Sequence, residues 1–155
     1  LLVVVGTIGI LAVAIFVILN PIDQMQKGRD TQRKSDLSEV QKVLEQYYRD
    51  NGQYPSHSDY KIVRLDGSTA EWGERWMPYM DKLPKDPLES RQYVYYAGSA
   101  AESRQSYRLY ASLERGKKDP QACAGICPGA SSAGLDNVCG GDGCNYGVTS
   151  ANISP

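Results

Sequence analysis

The first nineteen residues of the chain carry no charge. Leu1 to Leu19 read LLVVVGTIGILAVAIFVIL, and Asn20-Pro21 then interrupts the run. A helix of this length is close to 30 Å long, roughly the thickness of the hydrocarbon core of a bilayer. An uncharged helix of that length has to be covered by lipid or by other helices. This requirement limits what the chain can fold into more than any other feature does.

Two ordinary explanations of such a run are a secretory signal peptide and a single membrane span. A signal peptide has a basic start, a shorter apolar stretch and a small-residue cleavage site, and residues 1–20 show none of these. Taken alone, the run therefore favours a membrane span. Gly6, Gly9 and Pro21 weaken the helix, and Pro21 also disfavours a helical residue before it, so we expect a kink or an unwound stretch near residues 17–21.

The segment after Pro21 is polar on every side at first and then becomes amphipathic. Its second half carries apolar residues at i, i+3, i+7, i+10 and i+11, which predicts a helix that packs one face on a domain; these residues are Leu37, Val40, Leu44, Tyr47 and Tyr48. The polar half is expected to bridge between the apolar run and the domain, with ion pairs four residues apart at Asp30–Lys34 and Glu45–Arg49. Asn51-Gly52 predicts the helix end, because glycine takes the left-handed conformation there easily.

Beyond Gly52 the pattern changes to turns and short strands. Partial alternation predicts strands at Lys61–Leu65, Gln92–Tyr96 and Ser106–Leu113, the last two antiparallel, and one helical turn at Pro78–Leu83. From Gly116 onward the chain is rich in Gly and Ser, with no apolar run long enough for an element. The predicted fold is α+β, a long N-terminal helix on a small antiparallel sheet with a disulfide-stapled C-terminal loop. The predicted segments are 1–21, 22–52, 53–115 and 116–155.

Three stretches together resemble the type IV pilin-like family: LLVVVGTIGILAVAIFVILNP, SDLSEVQKVLEQYY and DNGQYP. A later stretch, WMPYMDKLPKDPLESRQYVYY with YRLYASLE, resembles the sheet region of the major pseudopilins of type II secretion. Members of the family share a mature start close to Phe-Thr-Leu-Ile-Glu followed by a run such as LLVVV, so the chain resembles them from just after that glutamate.

The resemblance implies a subunit that waits in the inner membrane and is then extracted, so that the apolar helices bundle in the core of a filament. The implied partners are identical subunits, the inner-membrane assembly machinery and, before assembly, membrane lipid. The residues that the resemblance places in the membrane and later in the filament core are Leu1, Leu2, Val5, Gly6, Gly9, Ile10, Ala12, Phe16 and Pro21.

The expected function is structural: a pilin of an extracellular type IV pilus-like filament on the cell surface, for adhesion or motility. The nearest alternative is a major pseudopilin of a type II secretion system. An alternative of another class is a membrane-anchored extracytoplasmic binding domain, although a simple anchor does not need a second, polar helical half. The net charge of −1 gives no reason to expect nucleic acid. The single histidine, His57, is expected in a solvated loop, and no catalytic residues are predicted.

Four cysteines lie near the C-terminus, at Cys123, Cys127, Cys139 and Cys144. Their spacing does not fit the C-x2-C pairs of a zinc knuckle, and no histidine lies near them. An even number in a loop-rich, exported tail predicts two disulfides. Four cysteines allow three pairings; we favour the nested pairing 123–144 and 127–139, because longer loops gain more from a cross-link. Local pairing across the glycines at 140–143 is the close alternative.

No cofactor is expected, with calcium as the one open question. The major pseudopilins that the chain resembles often bind calcium in a loop after the strand corresponding to YRLY, where they read like Ser-Leu-Gly-Ala-Asp-Gly. Here the matching stretch is Ser112–Gly116, SLERG, and the carboxylate pattern is different. Asp136 and Asp142 lie in a Gly-rich loop and are weak candidates for calcium ligands, but more simply they are turn residues.

Overall fold

The computed structural model describes the backbone of residues 1–155 and the side chains of residues 1–13, 20–101 and 103–155. Two helices, three short strands, two longer strands, a short third helix and a last strand follow one another along the chain. The helices are α1 (Leu2–Leu19), α2 (Pro21–Asn51) and the short α3 (Pro128–Ser132). The strands are β1 (His57–Ser58), β2 (Lys61–Val63), β3 (Thr69–Ala70), β4 (Val94–Ala97), β5 (Tyr107–Ala111) and β6 (Tyr146–Thr149).

The strands form two antiparallel sheets, in the orders β1-β2-β3 and β4-β5-β6. In the second sheet Val94 lies opposite Tyr110 on one side of β5, and Ala111 lies opposite Tyr146 on the other. Helix α2 packs on β5 and β6. The predicted α+β architecture, with a long helix on small antiparallel sheets and two disulfides in the C-terminal region, is confirmed.

The main core lies between α2 and the second sheet and is rich in tyrosine. Leu37, Val40 and Leu44 of α2 are almost completely buried, Tyr47 is buried and Tyr48 is half-buried. Two buried tyrosines have paired hydroxyls: Tyr93 donates to Asp36, and Tyr95 donates to the carbonyl of Pro55. A tyrosine can thus fill a core position and still connect it to a polar group at the rim.

The end of α2 is where the Asn-Gly pair predicts it. Gly52 follows the last helical residue with φ +71°, and its N–H donates to the carbonyl of Tyr48 at 2.7 Å. The left-handed conformation, which glycine adopts without a steric penalty, turns the chain away from the helix axis and into the first sheet.

Two predictions about local structure are wrong. Pro78–Leu83 is not a helical turn, because its backbone groups pair across a loop instead of along a helix: Trp76 exchanges hydrogen bonds with Met80, and Leu83 donates to Glu74. The tail beyond Gly116 is not without elements, since it contains α3 and β6. Strand β6 is short, but it is stable where it is because β5 offers it a complete ladder of partners.

Candidate assembly surface

Helix α1 presents an apolar surface that the rest of the chain does not cover. Leu2 is 89% exposed, Ile10 73% and Val5 62%. Together with Leu1, which precedes the helix, the large apolar side chains that are described as exposed here are Leu2, Val3, Val4, Val5, Ile8, Ile10, Leu11 and Val13. Since covering one such side chain contributes about 1.5–3 kcal/mol, the helix has a strong tendency to bind lipid or other helices.

The small residues of α1 leave room for a close neighbour. A Cβ atom added at Gly6 or Gly9 would meet no atom within 4 Å, and Ala12 is exposed. Phe16 lies outside the side chains that the structure describes. Among the described side chains, which leave out residues 14–19, no helix is long and apolar enough to span a membrane.

The two helices are separated by a single residue. Asn20 has the left-handed backbone conformation φ 37°, ψ 74°, and Pro21 is the first residue of α2. Because proline has no N–H and disfavours a helical residue before it, the hydrogen-bond ladder breaks here, and asparagine tolerates the left-handed conformation better than most residues. The break lies inside the predicted interval, so α1 and α2 are two helices and not one continuous rod.

The apolar surface continues past this break. Ile22 is 67% exposed and Met25 61%, both in the first two turns of α2. We interpreted this stretch as polar on every side, and that interpretation is wrong. The i, i+3 spacing of the two residues was the available signal, since it places them on neighbouring positions of one helix face.

The first half of α2, residues 21–34, which we call its base, is fixed to the domain by a buried guanidinium. The side chain of Arg33 is fully buried and donates to three carboxylates. It forms a two-bond pair with Asp86, at 2.7 and 2.8 Å, and its Nη1 also donates to Asp30 at 2.8 Å and to Glu114 at 2.9 Å. Burying a guanidinium is unfavourable unless its N–H groups are paired, and here the planar fork matches the carboxylates around it.

Neighbouring charges extend this cluster along α2. Arg29 donates twice to Glu114, at 2.6 and 2.7 Å, and Asp30 accepts the backbone N–H groups of Glu114 and Arg115, both at 2.9 Å. One turn further on, Lys34 pairs with Asp119 at 2.5 Å. The loop after β5 is therefore held along the first half of α2.

These contacts correct two expectations about α2. Asp30 pairs with Arg33 and the loop backbone instead of with Lys34, because the loop offers it two partly buried N–H donors. Glu45 accepts the hydroxyls of Tyr54 and Tyr107 instead of pairing with Arg49. The polar half of α2 follows α1 directly, and its charges also pack it on the domain.

The cluster shifts the titration of its members. Hydrogen bonds from Arg29, together with those from Arg33, lower the pKa of Glu114 to about 2 against the opposing effect of burial. Burial by itself would lower the pKa of Arg33, but its hydrogen bonds to Asp86 and Glu114 outweigh burial and raise that pKa. Glu114 and Arg33 therefore stay charged at neutral pH.

The tail closes on itself through two local disulfides, Cys123–Cys127 and Cys139–Cys144, each with 5.2 Å between the Cα atoms. The nested pairing that we favoured is wrong. Backbone bonds from Cys123 to Asn145 and from Cys127 to Cys144 place the two small loops side by side. The tail has its own small core with Val94 and Tyr110, so burial in addition to loop closure holds it.

Two residues of the tail, Asn145 and Gly140, make the close contacts that pack the tail against the sheet domain. The amide side chain of Asn145 is buried and exchanges two hydrogen bonds with the backbone of Leu113, at 2.7 and 3.0 Å, as a neighbouring strand would. Gly140 has φ +72°, and a Cβ there would lie 2.3 Å from the carbonyl oxygen of Ser90. Neither role can be recognised in the sequence, because both depend on contacts with distant segments.

The candidate metal ligands, Asp136 and Asp142, do not form a metal site with other described carboxylates. Asp136 is half-buried and Asp142 is exposed, and Glu114 in the loop that resembles the calcium loop is already bound by two arginines. Among the described residues there is no group of three or more His, Cys, Asp or Glu side chains that could hold a metal ion. The loop is thus held by guanidinium groups at the position where the resemblance suggests a cation.

His57 is not a solvated loop residue, contrary to expectation. It lies in β1, is half-buried, contacts the Tyr96 ring at a tilt of 39° and accepts the backbone N–H of Ala97 at Nδ1. Burial lowers the pKa of His57, so the neutral form that can accept this bond is the one that the fold favours. Its role is to join the two sheets.

Comparison with known families then identifies the chain. Residues 20–123 match the family of protein G of the type II secretion system. The chain belongs to this family. The match covers α2, both sheets as far as β5 and every residue of the Arg33 cluster, and it leaves out α1, β6 and most of the tail. No curated protein and no solved structure matches the chain in these comparisons. The expected membership of a pilin-like family is confirmed, and the chain is a pilin-like subunit of the secretion or pilus type.

Proposed function

We propose that the chain is the repeating subunit of an extracellular type IV pilus-like filament that serves adhesion or motility. Before assembly α1 holds it in the inner membrane, and in the filament α1 packs against the α1 helices of identical subunits. The role is structural and involves no catalysis and no cofactor. The inner-membrane assembly machinery moves the subunit from the first environment to the second.

One observation carries this proposal: α1 is uncharged and its described side chains are exposed, whereas the helix that follows is held on its own domain by the Arg33 cluster. The apolar surface has no function in the monomer, so its partner is outside it. The step from lipid to a helix bundle keeps this surface covered, and the small residues Gly6, Gly9 and Ala12 let helix backbones approach closely.

Two further observations support a pilus instead of a secretion pseudopilus. The loop Ser112–Gly116 does not carry the carboxylate pattern of the calcium loop of the pseudopilins that the chain resembles, and Glu114 is bound by arginines instead. The tail also carries two disulfides that form a separate small core. The description of the matching family favours the alternative, a major pseudopilin of a type II secretion system.

A deletion strain distinguishes the two filaments. If the chain is a pilus subunit, its deletion leaves the cell without surface filaments, and sheared surface material from the parent strain contains the chain. If the chain is a pseudopilin, its deletion leaves secreted proteins missing from the culture medium. The control is the deletion strain complemented with the parent gene. A membrane-anchored binding domain, the remaining alternative, predicts that neither filaments nor secreted proteins change, and that result would exclude a filament role.

A further inference from the structure

A group of cations lies beside the first two turns of α2. Arg115 pairs with Asp23 at 3.0 Å, and Lys118 lies 3.6 Å from the same carboxylate with a side chain that is 70% exposed. Lys117 is exposed, and it forms no ion pair within the part of the chain whose side chains are described. We call residues 115–118 the basic loop.

The basic loop borders a cavity of about 290 Å³ between α2 and the tail. Gln26, Lys117, Lys118 and Asp142 are among the residues that line it. One wall of the cavity is well packed, because Asn145 exchanges two hydrogen bonds with the backbone of Leu113 and a Cβ on Gly116 would lie 2.5 Å from the Asn145 amide. A small anionic group can therefore enter beside the lysines without a rearrangement of this wall.

The contact with Asp23 determines how far the basic loop lies from the end of α1. Asp23 is three residues beyond the break at Asn20, which at about 1.5 Å per residue is roughly 5 Å along α2. The headgroup layer on each side of a bilayer is about 5–8 Å thick, as the difference between the hydrocarbon core and the whole membrane indicates. When α1 fills the hydrocarbon core, the basic loop thus lies at the level of the lipid headgroups.

We propose that the basic loop and its cavity dock on the headgroups of anionic phospholipids and hold the domain down on the membrane before assembly. The inference rests on the proposed function, since it takes α1 to be in the bilayer. Phospholipid is the occupant because the surface is continuous with the end of α1 and has the opposite charge to the headgroups. Extraction of the subunit then has to break these contacts, so lipid charge affects how readily subunits leave the membrane.

The test uses the full oxidised chain in vesicles of phosphatidylcholine, with or without phosphatidylglycerol. A fluorophore on Gly28→Cys reports the position of the domain, since Gly28 is exposed on α2, does not line the cavity, and a Cβ there meets no atom within 4 Å. Both kinds of vesicle contain a lipid with a quencher on its headgroup. Flotation with the vesicles measures insertion of α1 separately, and thermal unfolding shows that each variant is folded.

The expected result is stronger quenching in the anionic vesicles, which decreases with added salt. Lys117→Gln/Lys118→Gln should lower the ratio of docked to undocked domain by about 30-fold, the equivalent of about 1 kcal/mol for each lysine. The matched control is Lys82→Gln/Lys85→Gln, two exposed lysines beside residues 32–39 of α2, and it should keep the quenching of the parent.

Equal quenching in both kinds of vesicle, or quenching that the Lys117/Lys118 change leaves intact, overturns the lipid proposal. So does a Lys117/Lys118 variant that keeps the lipid response but no longer forms filaments, because the cavity is then a contact between subunits. A chain that does not float with the vesicles contradicts the membrane step of the proposed function itself, and it removes the basis of the lipid site with it.

Discussion

Helix α1 and the base of α2 are adjacent in the chain and opposite in character. The first is uncharged, and its described side chains are exposed, whereas the second is rich in charge and buries Asp30 and Arg33. This inverts the usual placement of apolar and charged residues. The comparison indicates that the chain keeps its apolar surface for other molecules and uses its charges to hold its own parts together.

The two regions also depend on each other mechanically. A force applied to α1 is transmitted to the domain through the base of α2. There Arg33 connects the helix to the loops that contain Asp86 and Glu114. The break at Asn20 lies outside this cluster, whose first residue, Arg29, is nine positions further along α2. Under the proposed function, the domain is therefore expected to stay unchanged when α1 passes from lipid to the filament.

The largest effect is expected from a charge in α1. Ile10→Asp should abolish filament formation, because an unpaired carboxylate inside a helix bundle or a bilayer costs several kcal/mol. The thermal unfolding of the domain should stay the same, since Ile10 is exposed in the monomer. Electron microscopy of the purified chain measures the yield of filaments, and Ile10→Val is the matched control. Normal filaments from the Asp variant would show that α1 is not the assembly surface.

The next effect is expected at Arg33. Arg33→Met should lower the free energy of unfolding by about 3–5 kcal/mol, because it leaves Asp86, Asp30 and Glu114 buried with less compensation. Arg49→Met is the control; this arginine is exposed and the change should cost no more than about 0.5 kcal/mol. Denaturant unfolding of the full chain in detergent checks both. If the two variants unfold alike, the cluster does not hold α2 on the domain.

Acid should weaken the same cluster. The pKa of Glu114 is about 2 in the fold against 4.5 as its ordinary value, and its side chain is 8% exposed. Its contribution to stability, about 3 kcal/mol, is complete above pH 4.5 and is lost as the pH falls toward 2. Unfolding measured across this range should show the loss in the parent and a flatter profile in Glu114→Gln. Equal slopes would contradict the assignment.

The disulfides are expected to have a smaller effect each. For loops this short, cross-linking contributes about 2 kcal/mol per bond, against about 3 kcal/mol for the longer nested loops. Cys123→Ser/Cys127→Ser and Cys139→Ser/Cys144→Ser should therefore lower the free energy of unfolding by similar amounts. Peptide mapping of the non-reduced chain should give the two local pairs. A cross-linked peptide that joins Cys123 to Cys144 would exclude this pairing.

Regular features could be predicted from the sequence because they depend on neighbours in the chain. The burial of Leu37, Val40 and Leu44 follows from a helical period, and the helix end follows from the Asn-Gly pair. The antiparallel pair β4–β5 follows from alternation in tyrosine and valine. Each of these signals is complete within a few residues.

The features that could not be predicted depend on distant partners. Asp30 and Arg33 look like ordinary surface residues, since Asp86 and Glu114 lie 53 and 81 positions from Arg33. Strand β6 is four residues long and exists because β5 has a free edge for it. The favoured cysteine pairing is wrong because it ranks loop entropy above the glycines at 140–143, which permit the local Cys139–Cys144 bond, and the backbone contacts that accompany the local pairs are not visible in the sequence.

A reconstruction of the filament by electron cryomicroscopy tests the central claim most directly. The account predicts that the apolar side chains of α1 are covered by the α1 helices of neighbouring subunits along the filament axis. It also predicts that Arg33 keeps its contacts with Asp30, Asp86 and Glu114 of its own subunit. A filament in which α1 faces solvent, or in which Arg33 pairs with carboxylates of another subunit, would contradict it.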